Sequence, residues 1–554
     1  MRERVERLLR EATERVVQEL RPAEVARAHE LRVIPSQTPE HGDFSCSVAL
    51  ALARPLGLSP RELAERIHRA LRDPEGLIDR TEVAGPGYLN VFLAQALWHA
   101  LLERILRERE QYGTGGTTQR ERVLVEFVSA NPTGPLTIGH GRNAVLGDAI
   151  ARLLEACGHE VTREYYFNNG GRQMRILGAS LRARYLELLG RPAELPAEGY
   201  EGKYLVKIAR GLVEREADRW VDAPPEAFER AAEAEIFGQI RATLARLDIR
   251  FDEYTNERGL YEQGRVEATL SDLEKRGLVY QAEGATWLRA TELGLDRDRV
   301  LVKSNGEPTY LLPDIAYHLQ KLERGFDRMI DVLGPDHIEQ FPYVRAATIA
   351  LQEEGKRVEA VVYQWVNLRK GGEIVKMSTR KASFVTVDEV LDEIGADVFR
   401  FFMLERRADT HLDFDLDLAC DRSERNPVFK IQYAHARMCS IERLAVERGF
   451  DPEDAEPTPY ERLESAMELE LCKAVGQYPD VRLRAADLRE PQELARYLLD
   501  LATAFHSYIS DSRRHRVISD DVELSRARLA LVRAVRIVLG NGLRLLGLQA
   551  PERM

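Results

Sequence analysis

The chain has no run of 18 or more apolar residues, so no stretch can cross a bilayer as a helix. Its five cysteines (Cys46, Cys157, Cys420, Cys439 and Cys472) are scattered, odd in number and without a CxxC pair. That argues against a disulfide framework or a thiolate zinc site and for buried reduced thiols, with no structural metal. A secretory signal is lacking too, because MRERVERLLREATERVVQEL has no long apolar core and its glutamates speak against a transit peptide. The expectation is a cytoplasmic protein. Positive charge is short: the net charge is -12, so contact with nucleic acid requires local clustering of the 79 basic residues. Lysine is scarcest, with eleven against 68 arginines. Internal repeats are not evident.

At 554 residues the chain has room for about three to four domains. The segment that organises it is Arg122 to Asp148, RVLVEFVSANPTGPLTIGHGRNAVLGD. An apolar β-branched run to Val128 gives way to turn residues, and from His140 onward Ala144, Val145, Ala149, Ile150, Leu153 and Leu154 recur at helical spacing. A second strand-like run, Val161 to Phe167, completes a βαβ unit of a parallel sheet, with ligands expected at the strands' carboxyl ends. Glu126 lies in an otherwise apolar strand, and an unpaired buried carboxylate costs several kcal/mol or more, so a cation is expected to meet it. Gly139, His140 and Gly141 begin the helix, where free N–H groups suit a phosphate.

Ala130-Asn131-Pro132-Thr133-Gly134-Pro135-Leu136-Thr137-Ile138-Gly139-His140 resembles the His-Ile-Gly-His signature of class I aminoacyl-tRNA synthetases in its arginyl form. The first signature histidine is Thr137 here; its hydroxyl can bond a phosphate oxygen but carries no charge. The order of further segments agrees. Pro39 to Phe44 and Val83 to Leu93 resemble that family's added amino-terminal domain, and Tyr165 to Met174 its loop after the second strand. Lys303 to Asp314 contains an Asn-Gly turn and then Pro313 as an expected first helical residue, bringing Tyr310 and Asp314 close together. Leu333-Gly334-Pro335-Asp336-His337 resembles a strand end facing ATP and arginine.

Three of the eleven lysines, Lys370, Lys376 and Lys381, fall within twelve residues beside two glycines and Ser378. A mobile point charge on a glycine-bearing loop suits a phosphate that moves during reaction. The segment, with Met377, resembles the Lys-Met-Ser-Lys-Ser loop; Thr379 stands at its second lysine position, so which cation replaces that lysine is open.

The resemblance implies an α/β fold: a small amino-terminal α/β domain (1–115), a Rossmann-type parallel-sheet catalytic domain (116–390) with a helical insertion at about 175–275, a connecting region (391–425) and an all-α anticodon-binding bundle (426–554). It implies ATP-dependent activation of L-arginine and transfer to tRNA(Arg). Arginine would be held by Glu126, Asn131, Tyr310 and Asp314, with Asp336 and His337 beside them. The pair Glu126 and Asp314 suits a guanidinium, with Tyr310 offering a ring face. ATP would meet Thr137, Gly139, His140 and Asn143 and the loop Lys376, Met377, Ser378 and Lys381, accompanied by Mg²⁺ held chiefly through phosphates. Arg513, Arg514 and Arg516 near Tyr508 read as charge beside a stacking ring for RNA. A monomer is expected. The rival readings are another class I synthetase, disfavoured by the paired acids, and a non-charging RNA-binding derivative, motivated by Thr137 and the missing loop lysine.

Overall fold

The computed structural model describes residues 2–36, 38–117, 119–169, 171–375, 385–450 and 457–554. The central sheet is built from β1 (Arg122–Glu126), β2 (Glu160–Phe167), β3 (Glu253–Asn256), β4 (Arg328–Leu333) and β5 (Val358–Val362), in the order β5-β4-β1-β2-β3. All neighbours run parallel. Residues 123–126 of β1 are buried, as an apolar strand inside a parallel sheet covered on both faces should be. The strand order reverses between β1 and β4, and in such sheets the crevice at that reversal, beyond the carboxyl ends, is where ligands sit.

Helix α1 (Ile138–Cys157) connects β1 to β2 and stops at Gly158, whose φ is 104°. It is buried along almost its whole length because it lies between the sheet and later helices. Close packing demands glycine at two positions: a Cβ on Gly147 would come within 2.2 Å of Phe127, and one on Gly141 within 2.5 Å of Phe399.

Helices Gly171–Leu188, Lys203–Glu216 and Pro225–Arg246 form the expected insertion, broken at the glycine- and proline-bearing stretches. One correction follows. The span assigned to that insertion also contains β3, an edge strand of the central sheet, because the four residues EYTN carry no apolar alternation that would reveal a strand. A three-stranded antiparallel sheet (Val279–Ala282, Ala285–Leu288, Arg299–Val302) precedes α2 (Leu311–Glu323). Pro313 is the third residue of α2 and not its first, with Tyr310 at the N-cap.

The helix Val387–Leu404 (α3) begins with a capping box, Thr386 and Glu389, and breaks at Gly395 (φ 78°), so its course runs across position 390, where the catalytic domain was expected to end. Strand Leu412–Asp415 then joins Val366–Lys370 in a small sheet.

The amino-terminal unit is a four-stranded antiparallel sheet with helices Arg2–Leu20, Val48–Leu56 and Pro60–Ala70. The last part is a bundle of Pro427–Glu447, Ala466–Leu488, Pro491–Ser510 and Val522–Leu545. Buried charge bolts the parts together. Arg400 of α3 donates to Leu247 O (2.8 Å), to Leu546 O (2.9 Å) and to Asp148 of α1 (2.5 Å). Arg142 of α1 donates to the carbonyls of Gln364, Arg407 and Thr410. Lys473 of the bundle pairs with Asp43 of the amino-terminal unit at 2.6 Å. No helix among the described residues is long and apolar enough to cross a membrane.

Candidate active site

Two structural devices meet at the carboxyl end of β1. The backbone leaves the strand through Val128 (φ 64°) and Ser129 (φ 41°), a left-handed path that costs L-residues of order 1–3 kcal/mol each and clusters at functional sites. Bonds on several sides hold it: Val128 N–H donates to Asn143 Oδ1 (2.7 Å), Tyr166 N–H to Ser129 Oγ (3.2 Å), and the Tyr165 hydroxyl to Ala130 O (2.8 Å). Asn143 also donates to Val332 O of β4 (2.9 Å) and bonds the Tyr363 hydroxyl. This corrects its expected place among the ATP contacts: its amide is consumed in tying the ends of β1 and β4 to α1.

The second device is the start of α1. Thr137 is its N-cap; its N–H donates to His140 Nδ1 at 3.2 Å, and its hydroxyl lies at the same distance. An Nδ1 that accepts leaves the ring proton on Nε2. Burial pushes the His140 pKa down to about 4, so the ring is neutral at pH 7. His140 is thus a neutral N–H donor, not a cation. Gly139 stands in the same first turn. Thr386, two residues after the segment 376–384, bridges Thr137, with Ile138 N–H on Val385 O (3.3 Å) and Val387 N–H on Leu136 O (2.9 Å). Lys376, Met377, Ser378 and Lys381 themselves lie outside the described residues.

Glu126 meets the cation expected of it, and that cation is internal. Lys321 of α2, fully buried, contacts Glu126 Oε2 and lies 2.7 Å from Asp331 Oδ1. Ser129 Oγ donates to Glu126 Oε1 at 2.8 Å. The strand register explains the crowd, since Asp331, Glu126, Glu164 and Glu253 face one another across β4, β1, β2 and β3. Lys321 serves the first two and Arg324 the others, at 2.7 Å from Glu164 and 2.5 Å from Glu253. Burial alone would discharge Lys321, but Asp331 and Glu126 outweigh it and keep it protonated.

Glu126 thus comes with its own internal counter-ion, while its charge, like that of a further acid, Glu257, acts on Asp314. Glu257 follows β3 directly, is buried, and bonds the Tyr166 hydroxyl at 3.2 Å. Burial raises its pKa. Asp314 accepts from the Gln340 amide; burial first, then the charges of Glu257 and Glu126, push its pKa up to about 7 against the pull of His318. Among the described residues no Lys, Arg or His pairs with either carboxylate. Both acids are desolvated and the charge of Glu257 adds to the rise at Asp314, an arrangement that suits a cationic ligand, and a guanidinium fits a carboxylate by two parallel hydrogen bonds.

Of the other expected residues, Tyr310 and Asp336 share a cavity with Gln340, which bonds Asp314. Tyr310 is 57% exposed and lines, with Asp336, Gln340 and Tyr343, a cavity of about 650 Å³. Asp336 and His337 are exposed in the single turn Pro335–His337 that follows β4. Asn131 accepts from Asn168 N–H (3.1 Å) and donates to Gln173 (3.4 Å).

Three family models match the chain in sequence: "Arginyl tRNA synthetase N terminal domain" over residues 3–93, "tRNA synthetases class I (R), catalytic domain" over 101–412, and "DALR anticodon binding domain" over 431–554. The arginine–tRNA ligase of Desulfotalea psychrophila is 47% identical over 523 residues, 94% of each chain. That of Moorella thermoacetica is 44% identical over 93% of this chain and 92% of its own. The chain belongs to the class I arginyl-tRNA synthetases. The synthetase also superposes on the arginyl-tRNA synthetase of Thermus thermophilus over the full length of both chains, with TM-score 0.77 and 25% identity. A structure from Campylobacter jejuni, 30% identical, matches 83% of this chain and all of its own at TM-score 0.76.

In the synthetase's bundle one expectation is overturned. Tyr508 is 0% exposed, and its hydroxyl bonds Glu468 (3.4 Å), which is itself paired with Arg528 at 2.7 Å. The ring packs into the core and cannot stack on a base. Arg513, Arg514 and Arg516 are exposed beyond the end of helix Pro491–Ser510.

The site also dictates a pH response. Asp314 protonates near pH 7, and only its carboxylate form attracts a permanently charged guanidinium. Arginine affinity is expected to level off above about pH 8 and to fall by up to about tenfold per unit below 7, with a proton released on binding. Calorimetric titration from pH 5.5 to 8.5 measures both; a flat profile contradicts the assignment of Asp314.

Proposed function

We propose that this ligase seats the arginine guanidinium between Asp314 and Glu257, with Tyr310 at the rim, and places the carboxylate end toward the start of α1. The unpaired acid couple carries this reading. Asn131 and Glu126, at the end of β1, take the α-amino end; Asp336 and His337 line the approach from β4.

The first step needs no protein nucleophile. An arginine carboxylate oxygen attacks the α-phosphorus of ATP, the bond to the β-phosphate oxygen breaks, and pyrophosphate leaves, giving arginyl-adenylate. In the second step a ribose hydroxyl of the terminal adenosine of tRNA(Arg) attacks the arginyl carbonyl. AMP departs and the hydroxyl proton is released. The protein's share is orientation and stabilisation of developing charge. His140, as an Nε2–H donor, and the free N–H groups near Gly139 face the α-phosphate, with Thr137 fixing the histidine's tautomer. Mg²⁺ accompanying the nucleotide would be held chiefly through the nucleotide rather than by a dedicated set of protein ligands, and would add positive charge at the phosphates. We assign the leaving pyrophosphate to the loop with Lys376, Met377, Ser378 and Lys381. Lys376→Ala is expected to slow adenylate formation by roughly 10²-fold, about the loss seen when one charge-stabilising donor is removed, and to leave the arginine Kd unchanged. Pyrophosphate exchange and equilibrium binding separate the two; an unchanged exchange rate removes the loop from the mechanism.

We further assign tRNA contact to the exposed Arg513, Arg514 and Arg516, the chain to the cytoplasm, and the working unit to a monomer. Incubation with ATP, unfractionated tRNA and each amino acid in turn tests the whole reading. Arginine alone is expected to become esterified, and esterification of another amino acid, or of none, overturns it.

A further inference from the structure

Helix α2 carries Asp314, Tyr317, His318 and Lys321 at spacings of three, one and three residues, so one face of one helix presents them all to the sheet. Tyr317, His318 and Lys321 are buried there and Asp314 is half-buried, so the polar face turns inward, the reverse of an ordinary amphipathic helix. His318 Nδ1 bonds the carbonyl of Asp314 at 2.7 Å and its Nε2 lies 2.8 Å from Asp331. Lys321 sits between Asp331 and Glu126 with its ammonium 4.4 Å from the Tyr317 ring centre. Exposure separates the members of this group. The Lys321, Glu164 and Asp331 side chains are 0%, 0% and 2% exposed, whereas Glu126 keeps 8% open. Glu126 is thus the least enclosed of the four, and its charge acts on Asp314.

We propose that Lys321 is a positioning residue for arginine: it is the fixed counter-ion that offsets the burial of Glu126 and holds its carboxylate at the carboxyl end of β1, so that the α-ammonium end of the substrate meets negative charge there. The proposal rests on the seat assigned above and deepens it. Glu126 is faced by Asp331 and Glu164 on the neighbouring strands, and by Lys321 of α2, which also carries Tyr317 and His318. Arg324 is spent on Glu164 and Glu253 and does not touch it. Take Lys321 away and Glu126 stands desolvated between two acids, so it takes up a proton and offers a neutral carboxyl to a cationic ligand. A buried lysine suits this task because its compact charge can bridge two single oxygens without reproducing the planar fork that the neighbouring seat is built to bind.

The experiment compares the full-length protein with Lys321→Met, Lys321→Met/Asp331→Asn and Arg324→Met, using arginine-dependent pyrophosphate exchange in the presence of tRNA. For Lys321→Met the arginine KM at pH 7 is expected to rise at least tenfold, about one pK unit's worth, with the ATP KM unchanged; the gap should narrow by pH 8.5 as Glu126 regains its charge. The double variant removes a competing acid and should recover part of the loss at pH 7. Arg324→Met should leave the arginine KM unmoved. An arginine KM in Lys321→Met that equals wild type, or rises without any dependence on pH, overturns the proposal. If the single variant does not fold, the double variant is set against Arg324→Met: a pH-dependent arginine KM in the former alone supports the proposal, and equal, pH-independent values overturn it. Failure of the wild-type protein to activate arginine would instead remove the reading of the seat itself.

Discussion

Asp314→Asn is expected to weaken arginine binding by roughly 10²–10³-fold and to leave ATP affinity within about twofold, because cutting one partner from a buried, hydrogen-bonded charge pair costs about 3–5 kcal/mol. The same change should make the empty protein more stable. Asp314 is held up to about 7, against 3.8 for an ordinary aspartate, so the folded chain keeps a proton there that the unfolded chain has already lost. A carboxyl shifted in this direction drains stability as pH rises from about 4 to about 7, and an amide carries no such charge. Thermal unfolding without ligand should therefore favour the variant above pH 7, whereas added arginine should stabilise only the wild type. Loss of arginine and ATP binding together would show that Asp314 acts through the fold.

The second large effect is on assembly. Arg400 lies wholly buried between α1, the end of the long inserted helix and the last turn of the bundle, and packs against Gly547 so closely that a Cβ there would come within 2.2 Å of its guanidinium. Arg400→Met removes a partner from Asp148 and leaves the carbonyls of Leu247 and Leu546 without donors. A broken buried pair costs about 3–5 kcal/mol, and each orphaned acceptor about 1–3 more before relaxation. Asp148 keeps Arg152 at 2.7 Å, which limits the loss on that side. Scanning calorimetry should show the first transition at lower temperature and the bundle unfolding apart from the sheet domain. A single transition at the wild-type temperature would mean that this contact does not hold the parts together.

What the residues alone disclose divides along physical lines. β1, α1 and β2 are legible because their apolar periodicities are strong, and Glu126 betrays itself as a charge in an apolar run. β3 is not legible: four residues at a sheet edge carry no period, and with it Glu257 disappears into what reads as helical insertion. Glu257 as a neighbour of Asp314 is for that reason invisible in the sequence. Which cation answers Glu126 also depends on register, since only the alignment of Asp331, Glu126, Glu164 and Glu253 on one rung shows why α2 and its C-cap residue supply two cations. Tyr508 and Asn143 fail differently. Their side-chain chemistry suits RNA and phosphate, but three-dimensional packing spends it inside the protein. Thr137 shows the reverse: a departure from the family signature that becomes intelligible as the cap that fixes the tautomer of His140.

The account stands on the guanidinium meeting Glu257 and Asp314. Titrating L-arginine and L-citrulline, which keeps the shape and loses the charge, into the tRNA-bound wild type and Glu257→Gln tests this most directly. Discrimination of at least roughly 10²-fold in the wild type, collapsing toward about tenfold in the variant, is the predicted result, as expected when one of two buried acids is neutralised. Discrimination undiminished in Glu257→Gln would contradict it.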